Sequence, residues 1–200
     1  MPPPYQHRDH LPAASAAALQ QDLETQLAGE VRFDRVFCAM HSTDASVYQI
    51  TPLGVVAPRS NEDVVRTVHL CNHYNASITA RGGGTSQAGQ AIGPGIQLDF
   101  SKYMDRILEV NPEEGWARVE PGVVLDQLNR QLISVGMKYA PDPVTSNRSC
   151  IGGGIGNNSC GSHSVIYGKT SDHIRYNKNY NYIPGRNIWC NFFRSKSSGF

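Results

Sequence analysis

The chain has 200 residues, 40% of them hydrophobic, enough for one buried core and too few for two full-sized domains. Lys and Arg number 18 against 17 Asp and Glu, so the net charge of +1 gives no field of the kind that marks a nucleic-acid or membrane-surface partner. The five cysteines, Cys38, Cys71, Cys150, Cys160 and Cys190, form no C-x-x-C pair, which argues against zinc, an iron-sulfur cluster or a disulfide framework.

The polar, proline-rich start MPPPYQHRDH holds no apolar run fit for a signal peptide or a membrane span, so a cytoplasmic location is the default expectation. Residues 1–14 read as a disordered leader. Leu19, Leu23 and Leu27 then recur every four residues before Gly29, the pattern of a short amphipathic helix. The stretch through Asp44, Tyr48, Pro52 and Pro58 reads as loop leading into one short strand at Val55-Val56. Ser60 with Asp63 resembles a capping box for a helix with Val64, Val65 and Val68 on its inner face, and Asn75 suits the left-handed closing position.

Ser77 to Ala80 reads as a strand running into Arg81-Gly82-Gly83-Gly84-Thr85-Ser86, and Ile96 to Phe100 as the next strand. Ile107 to Val110 and Trp116 to Glu120 flank a turn, which makes a hairpin, and Val124, Leu128 and Leu132 place a helix before Gly136. A second glycine cluster, Gly152-Gly153-Gly154-Ile155-Gly156, follows. The alternation of strands and helices gives an α/β domain.

Three glycines after a strand allow positive φ and carry no Cβ, so successive N–H groups can converge on an anion, with the hydroxyls of Thr85 and Ser86 beside them. Several such hydrogen bonds suit a diphosphate. A P-loop would need Lys where Gly84 stands, and the dinucleotide fingerprint G-x-G-x-x-G/A fails at Gln87 and again at Asn157. The bland alternative for a lone glycine run is a mobile surface loop, and the presence of two clusters weighs against it.

Arg81 to Ser86 followed by Gly89, then Pro141-Asp142, Ile151-Gly152-Gly153, Asn158 and Tyr167-Gly168, resemble the FAD-binding domain of the vanillyl-alcohol oxidase, or p-cresol methylhydroxylase type, superfamily. Within it the chain is most similar to the D-lactate dehydrogenase, glycolate oxidase and D-2-hydroxyglutarate dehydrogenase group. The resemblance covers roughly Asp44 to Ile174 and implies an α/β (α+β) fold of two small subdomains, the second incomplete, whose shared cleft would hold FAD. It implies that Gly82 to Ser86 bind the diphosphate and that Ile151, Gly152, Gly153 and Asn158 lie along the adenine and ribityl side. Pro141 and Asp142 would lie near the flavin. Two positions depart from the family, which usually shows Asn at Gly154 and Gly at Cys160. The implied reaction is oxidation of a D-2-hydroxy acid to the 2-oxo acid, with a quinone or an iron-sulfur protein as possible electron acceptor. Neither a general base nor a carboxylate-binding cation can be assigned in the sequence. An inactive truncated fragment, or a flavoprotein of the same fold acting on an unrelated substrate, are the alternatives.

From residue 175 the chain has five basic and no acidic residues and no steady period, leaving 13 basic against 17 acidic residues, a net −4, in the body before it. Residues 175–200 are therefore expected to be a divergent, disordered tail, as a frame change or a mis-joined gene end would produce, and the 200-residue chain alone to be inactive and to hold FAD weakly or not at all. The remaining candidates have plainer explanations. His69 and His73 lie on a solvated helix face, His163 is an exposed loop histidine instead of a covalent flavin link, and Asp99 is a turn former instead of a base. Arg81 reads equally as a phosphate clamp or as the partner of a local carboxylate.

Overall fold

Leucines four residues apart bury one stripe of the first helix, α1 (Ala13–Gln26), with Leu19 and Leu23 fully enclosed and Leu27 already in extended conformation as the cap. The helix therefore stops one residue short of the third leucine and begins within the expected leader. The computed structural model describes residues 11–175, 188–191 and 193–194. These fall into two units, Met1–Asp99 and Phe100–Phe200. Among the described residues no helix is long and apolar enough to cross a membrane.

The first unit is built on a four-stranded sheet. Strands β1 (Glu30–Arg32), β2 (Gly54–Ala57), β3 (Ile78–Arg81) and β4 (Ile96–Asp99) stand in the order β1-β2-β4-β3, with β1 antiparallel to β2 and the other three parallel. Every residue of β2 and β4 is buried, as continuous apolar runs in a parallel sheet require. Helix α2 (Arg35–Met40) starts at Asp34, whose carboxylate accepts from Phe37 N at 2.9 Å. Neither β1 nor α2 was legible in the sequence, where this stretch reads as loop.

Helix α3 (Asn61–His73) connects β2 to β3 and lies against α1, where Tyr74 donates to Asp22 at 2.6 Å. Ser60 accepts from Asp63 N at 3.2 Å, but the box is not reciprocal, because the Asp63 carboxylate turns to Ala28 N and Arg59 N at 3.0 and 2.9 Å. Asp63 is 3% exposed, and its two carboxylate oxygens tie the chain that enters β1, at Ala28, to the turn between β2 and α3, at Arg59. Asn75 takes φ +60, the left-handed residue expected after the helix.

The second unit begins with a strap from Phe100 to Arg106, closed by Glu120. That carboxylate is nearly fully buried and accepts from Arg106 N, Nε and Nη2 at 2.9, 3.1 and 2.8 Å. The hairpin of β5 (Ile107–Asn111) and β6 (Trp116–Val119) forms as expected, and Gly115 at φ +72 closes its turn. Helix α4 (Leu125–Ile133) buries Leu125, Leu128 and Leu132 against Ala117, Val119, Val123, Met137, Tyr139 and Ile151. Truncating one of these leucines to Ala would cost about 2–5 kcal/mol.

Strand β7 (Met137–Lys138) precedes α5 (Ile151–Gly156), α6 (Ser164–Tyr167), a 3-10 turn at Thr170–His173 and β8 (Ile174–Arg175). Beyond it, β9 (Ile188–Asn191) pairs antiparallel with β6 and β8 to give a sheet ordered β5-β6-β9-β8, and β10 (Phe193–Arg194) pairs with β7. The pattern-free segment thus contributes backbone pairing at these residues, and the rest of 175–200 that the sequence marked as tail lies outside the described residues, as do residues 1–10. The second glycine cluster is not a loop. Ile151–Gly156 is a short helix with no positive φ, seated by Ile151 N on the Val123 carbonyl and Gly152 N on the Pro121 carbonyl, both at 2.9 Å.

Candidate cofactor site

In the first unit the glycine run leaves the end of β3 and turns back toward β4. Of its three glycines only Gly84 has positive φ, at +64, with Gly89 at +73 further on. Among the described residues the N–H groups of Gly83, Gly84 and Ser86 meet no protein acceptor, and Gly83 is exposed. They are therefore open to an outside anion. The Gly84 carbonyl, by contrast, accepts from Ala45 N at 3.0 Å. Ser86 Oγ closes the far side, accepting from Ala88 N and Gln90 N at 3.2 Å each.

The segment before β2, read in the sequence as a plain loop, wraps this run. The Asp44 carboxylate accepts from Ser46 N at 2.9 Å and Ala91 N at 3.3 Å, and the Tyr48 ring lies where a side chain on Gly89 would fall. Burial pushes the Asp44 carboxyl up, but hydrogen bonds from Ser46 and Ala91 and the charge of Arg81 together hold it below the usual carboxylate value. Arg81 Nη1 donates to the Ala91 carbonyl at 3.1 Å, and burial pulls the guanidinium below its ordinary value against the opposing charges of Asp99 and Asp44. Both readings of Arg81 had been open, and this geometry engages it with local acceptors. Asp99 is not a turn former. It is the last residue of β4, 9% exposed, and its Oδ2 lies 3.2 Å from His41 Nε2. His41 and Asp44 carried no motif, and the one available signal was their place just upstream of β2.

In the second unit Pro141 is buried and Asp142 half-buried. Gly161 packs so closely on the Asp142 carbonyl that no Cβ could stand there, Ser162 N donates to that carbonyl at 3.3 Å, and the Asp142 carboxylate lies 3.0 Å from His163 Nδ1. Asn158 takes φ +45 and its Oδ1 accepts from Ser171 N at 2.9 Å. The loop it starts is tied to the core by Thr170, whose Oγ1 donates to the Ser159 carbonyl at 2.7 Å and lies 2.8 Å from the Tyr139 hydroxyl. Around Gly153 there is open space within 4 Å of where a Cβ would stand, and among the described residues its N–H meets no protein acceptor. Asp142, Gly161 and His163 therefore meet in one place, next to the buried Pro141 in the chain, while Ile151 and Gly152 are held by the Pro121–Val123 turn.

His69 and His73 are exposed on α3, and among the described residues no group of three His, Cys, Asp or Glu could hold a metal. Cys38, Cys71 and Cys150 are buried free thiols and Cys160 an exposed one, and burial pushes Cys71 up to about 12.

Residues 52–179 match the family model of the FAD binding domain. The chain belongs to that family. The FAD-binding domain is 47% identical over 158 residues to D-2-hydroxyglutarate dehydrogenase of Escherichia coli K12, a match covering 77% of this chain and 16% of that protein. It is 36% identical over 154 residues to glycolate oxidase subunit GlcD of Bacillus subtilis 168, covering 74% of this chain and 33% of that one. The chain thus spans about a sixth to a third of the length of these relatives. Its fold is that of p-cresol methylhydroxylase, with a TM-score of 0.73 at 15% identity over 92% of this chain and 44% of the other.

The residues fit the cofactor that the family implies. Among the described residues the N–H groups of Gly83, Gly84 and Ser86 without a protein acceptor, beside a positive-φ glycine whose carbonyl is held by Ala45, suit a diphosphate, and a Cβ at Gly84 would disturb that shape. Arg81, the cation next to this run, donates to the Ala91 carbonyl and lies in the field of Asp99 and Asp44.

Proposed function

We propose that this chain is the FAD-holding part of a flavin-dependent dehydrogenase that oxidises a D-2-hydroxy acid of the lactate, glycolate or 2-hydroxyglutarate class to the 2-oxo acid. The observation that carries the reading is the match at 47% identity to a D-2-hydroxyglutarate dehydrogenase. The second relative is named for glycolate, and both names denote 2-hydroxycarboxylates. FAD, when bound, supplies the two-electron acceptor for the hydrogen on the carbinol carbon.

The chain's own residues hold it. The N–H groups of Gly82, Gly83, Gly84 and Ser86, with the Thr85 hydroxyl, donate to the diphosphate, and Gly89 lets the loop return past Tyr48. Each bond to the charged group contributes about 1.5–3 kcal/mol, so three or four supply about 4.5–12 kcal/mol, comparable to the cost of association. Ile151, Gly152, Gly153 and Asn158 follow the adenine and ribityl side, the open space at Gly153 admitting close approach, and Pro141 with Asp142 borders the flavin. Residues 15–174 make up the domain. Electrons leave to a quinone or an iron-sulfur protein.

The test is a titration of the purified chain with FAD, FMN and riboflavin by flavin fluorescence, followed by a dye-linked assay with D-lactate, glycolate and D-2-hydroxyglutarate. Binding that prefers FAD supports the cofactor assignment, and equal affinity for riboflavin overturns it. Turnover is expected at background, since the match covers 16% of the dehydrogenase's length. Reduction of the dye by an alcohol or phenol, and by none of the hydroxy acids, would favour the same fold acting on another substrate.

A further inference from the structure

We propose that Arg81, set by Asp44, Asp99 and His41, is a positioning residue that fixes the diphosphate loop without touching the cofactor. This rests on the reading of Gly82–Ser86 as the diphosphate site. A lone arginine at the mouth of an anion cradle is ordinarily taken as a phosphate ligand. Here the guanidinium is engaged by the loop's own backbone. Its Nη2 stands 2.5 Å from where a Cβ on Gly84 would sit, so it fills the side-chain space of the one positive-φ residue of the run. Its Nη1 holds the Ala91 carbonyl at 3.1 Å, while the N–H of the same Ala91 is held by Asp44. The residue at the far end of the loop is thus gripped on both sides of its α-carbon. The near end is gripped at the Gly84 carbonyl by Ala45, the neighbour of Asp44.

The anchor of this arrangement is the sheet itself. Arg81 and Asp99 are the last residues of β3 and β4 and stand in register across the parallel ladder. Asp99 is in turn oriented by His41, whose Nδ1 lies 2.9 Å from the Phe37 carbonyl and whose ring stacks on Phe37 at 4.7 Å. The buried Gln97 one turn of the pleat earlier donates to the His41 carbonyl at 2.8 Å, so both main chain and side chain of His41 are tied to β4. The negative charges of Asp99 and Asp44 both act on this one cation, whose hydrogen bond goes to the loop backbone at Ala91. The loop is held open in the binding shape before any ligand arrives, which is how preorganisation raises affinity.

The experiment compares wild type with Arg81→Gln, Asp99→Asn, the Arg81→Gln/Asp99→Asn pair and Arg81→Lys, using binding of FAD, ADP and riboflavin together with thermal unfolding. Positioning predicts that Asp99→Asn weakens FAD and ADP by about tenfold, that the double variant is no worse than Arg81→Gln, and that riboflavin binding does not move. Arg81→Lys should restore little, because an ammonium cannot reach Gly84, Ala91 and a carboxylate together. Unchanged or tighter FAD binding in Asp99→Asn would mean that the freed guanidinium is a direct ligand, and would overturn the proposal. A fall in melting temperature with equal losses for all three ligands would overturn it as well, leaving a purely structural role. If Arg81→Gln does not fold, Asp44→Asn carries the same FAD-and-ADP prediction from the loop side. Failure of the wild type to bind ADP at all would instead remove the diphosphate reading on which this one depends.

Discussion

Replacing Gly84 by Ala is the sharpest perturbation of the cradle. At φ +64 an L-residue is strained by about 1–2 kcal/mol. The added methyl would also stand 2.5 Å from Arg81 Nη2 and 3.1 Å from Cζ, so the guanidinium must leave its place. Loss of its bond to the Ala91 carbonyl adds about 1.5–3 kcal/mol. The two effects overlap, because moving Arg81 relieves part of the crowding, and a total of about 2–4 kcal/mol is expected, roughly a 30- to 700-fold loss. In the free protein the loop can relax toward an α-region conformation, so most of the cost should fall on FAD affinity and little on the unfolding midpoint. Fluorescence titration with FAD beside a thermal melt separates the two. Gly156→Ala is the control, since a side chain there meets nothing within 4 Å and φ is ordinary. Wild-type FAD affinity in Gly84→Ala would show that neither the left-handed turn nor the Arg81 contact shapes the site.

Any flavin held should be released by acid precipitation; colour retained in the pellet would point to His163 or Cys160. A native alkylation experiment should label Cys160 rapidly and Cys71 hardly at all, because Cys71 is fully buried and its thiol is pushed up to about 12, and mass spectrometry showing equal labelling would contradict that. Asp44 is held below its ordinary value, so the stability it contributes is complete above an unfolded carboxylate pKa of about 3.9 and disappears as pH falls through the lower folded value. Asp44→Asn should therefore flatten the loss of stability below about pH 4, and an acid unfolding curve parallel to wild type would refute the assignment.

Most of the framework was legible because its signals are local. The strands at β2, β3 and β4 are short apolar runs, Asn75 marks a left-handed stop, and the leucines of α4 keep helical period. What escaped depended on distance. Strand β1 has three half-buried residues and no alternation, and it exists because β2 offers it an edge. The Ile151–Gly156 helix runs against glycine's intrinsic preference by about 0.5–1 kcal/mol per residue and is held by the carbonyls of Pro121 and Val123, some thirty residues earlier. The glycine run was recognised, but not which of its glycines needs the left-handed region, since that is decided by where Arg81 and Ala45 hold it. His41, Asp44 and Asp99 could not be grouped from the sequence, because 58 positions separate His41 from Asp99 and only the parallel ladder brings them together.

The order β1-β2-β4-β3 imposes a schedule on the nascent chain. Strands β2 and β3 each pair with β4 and not with each other, so the helical crossover between them is made around a slot that stays vacant until Ile96–Asp99 has been synthesised. Up to that point the glycine run hangs from a strand with no neighbour, and neither Asp99 nor the tie from Gln97 to His41 exists. Arrival of four residues closes the slot and supplies the buried carboxylate in the same event. A ribosome paused just before residue 96 would therefore display a glycine run without Asp99 and without the tie to His41, and one paused well beyond residue 99 a run that has both.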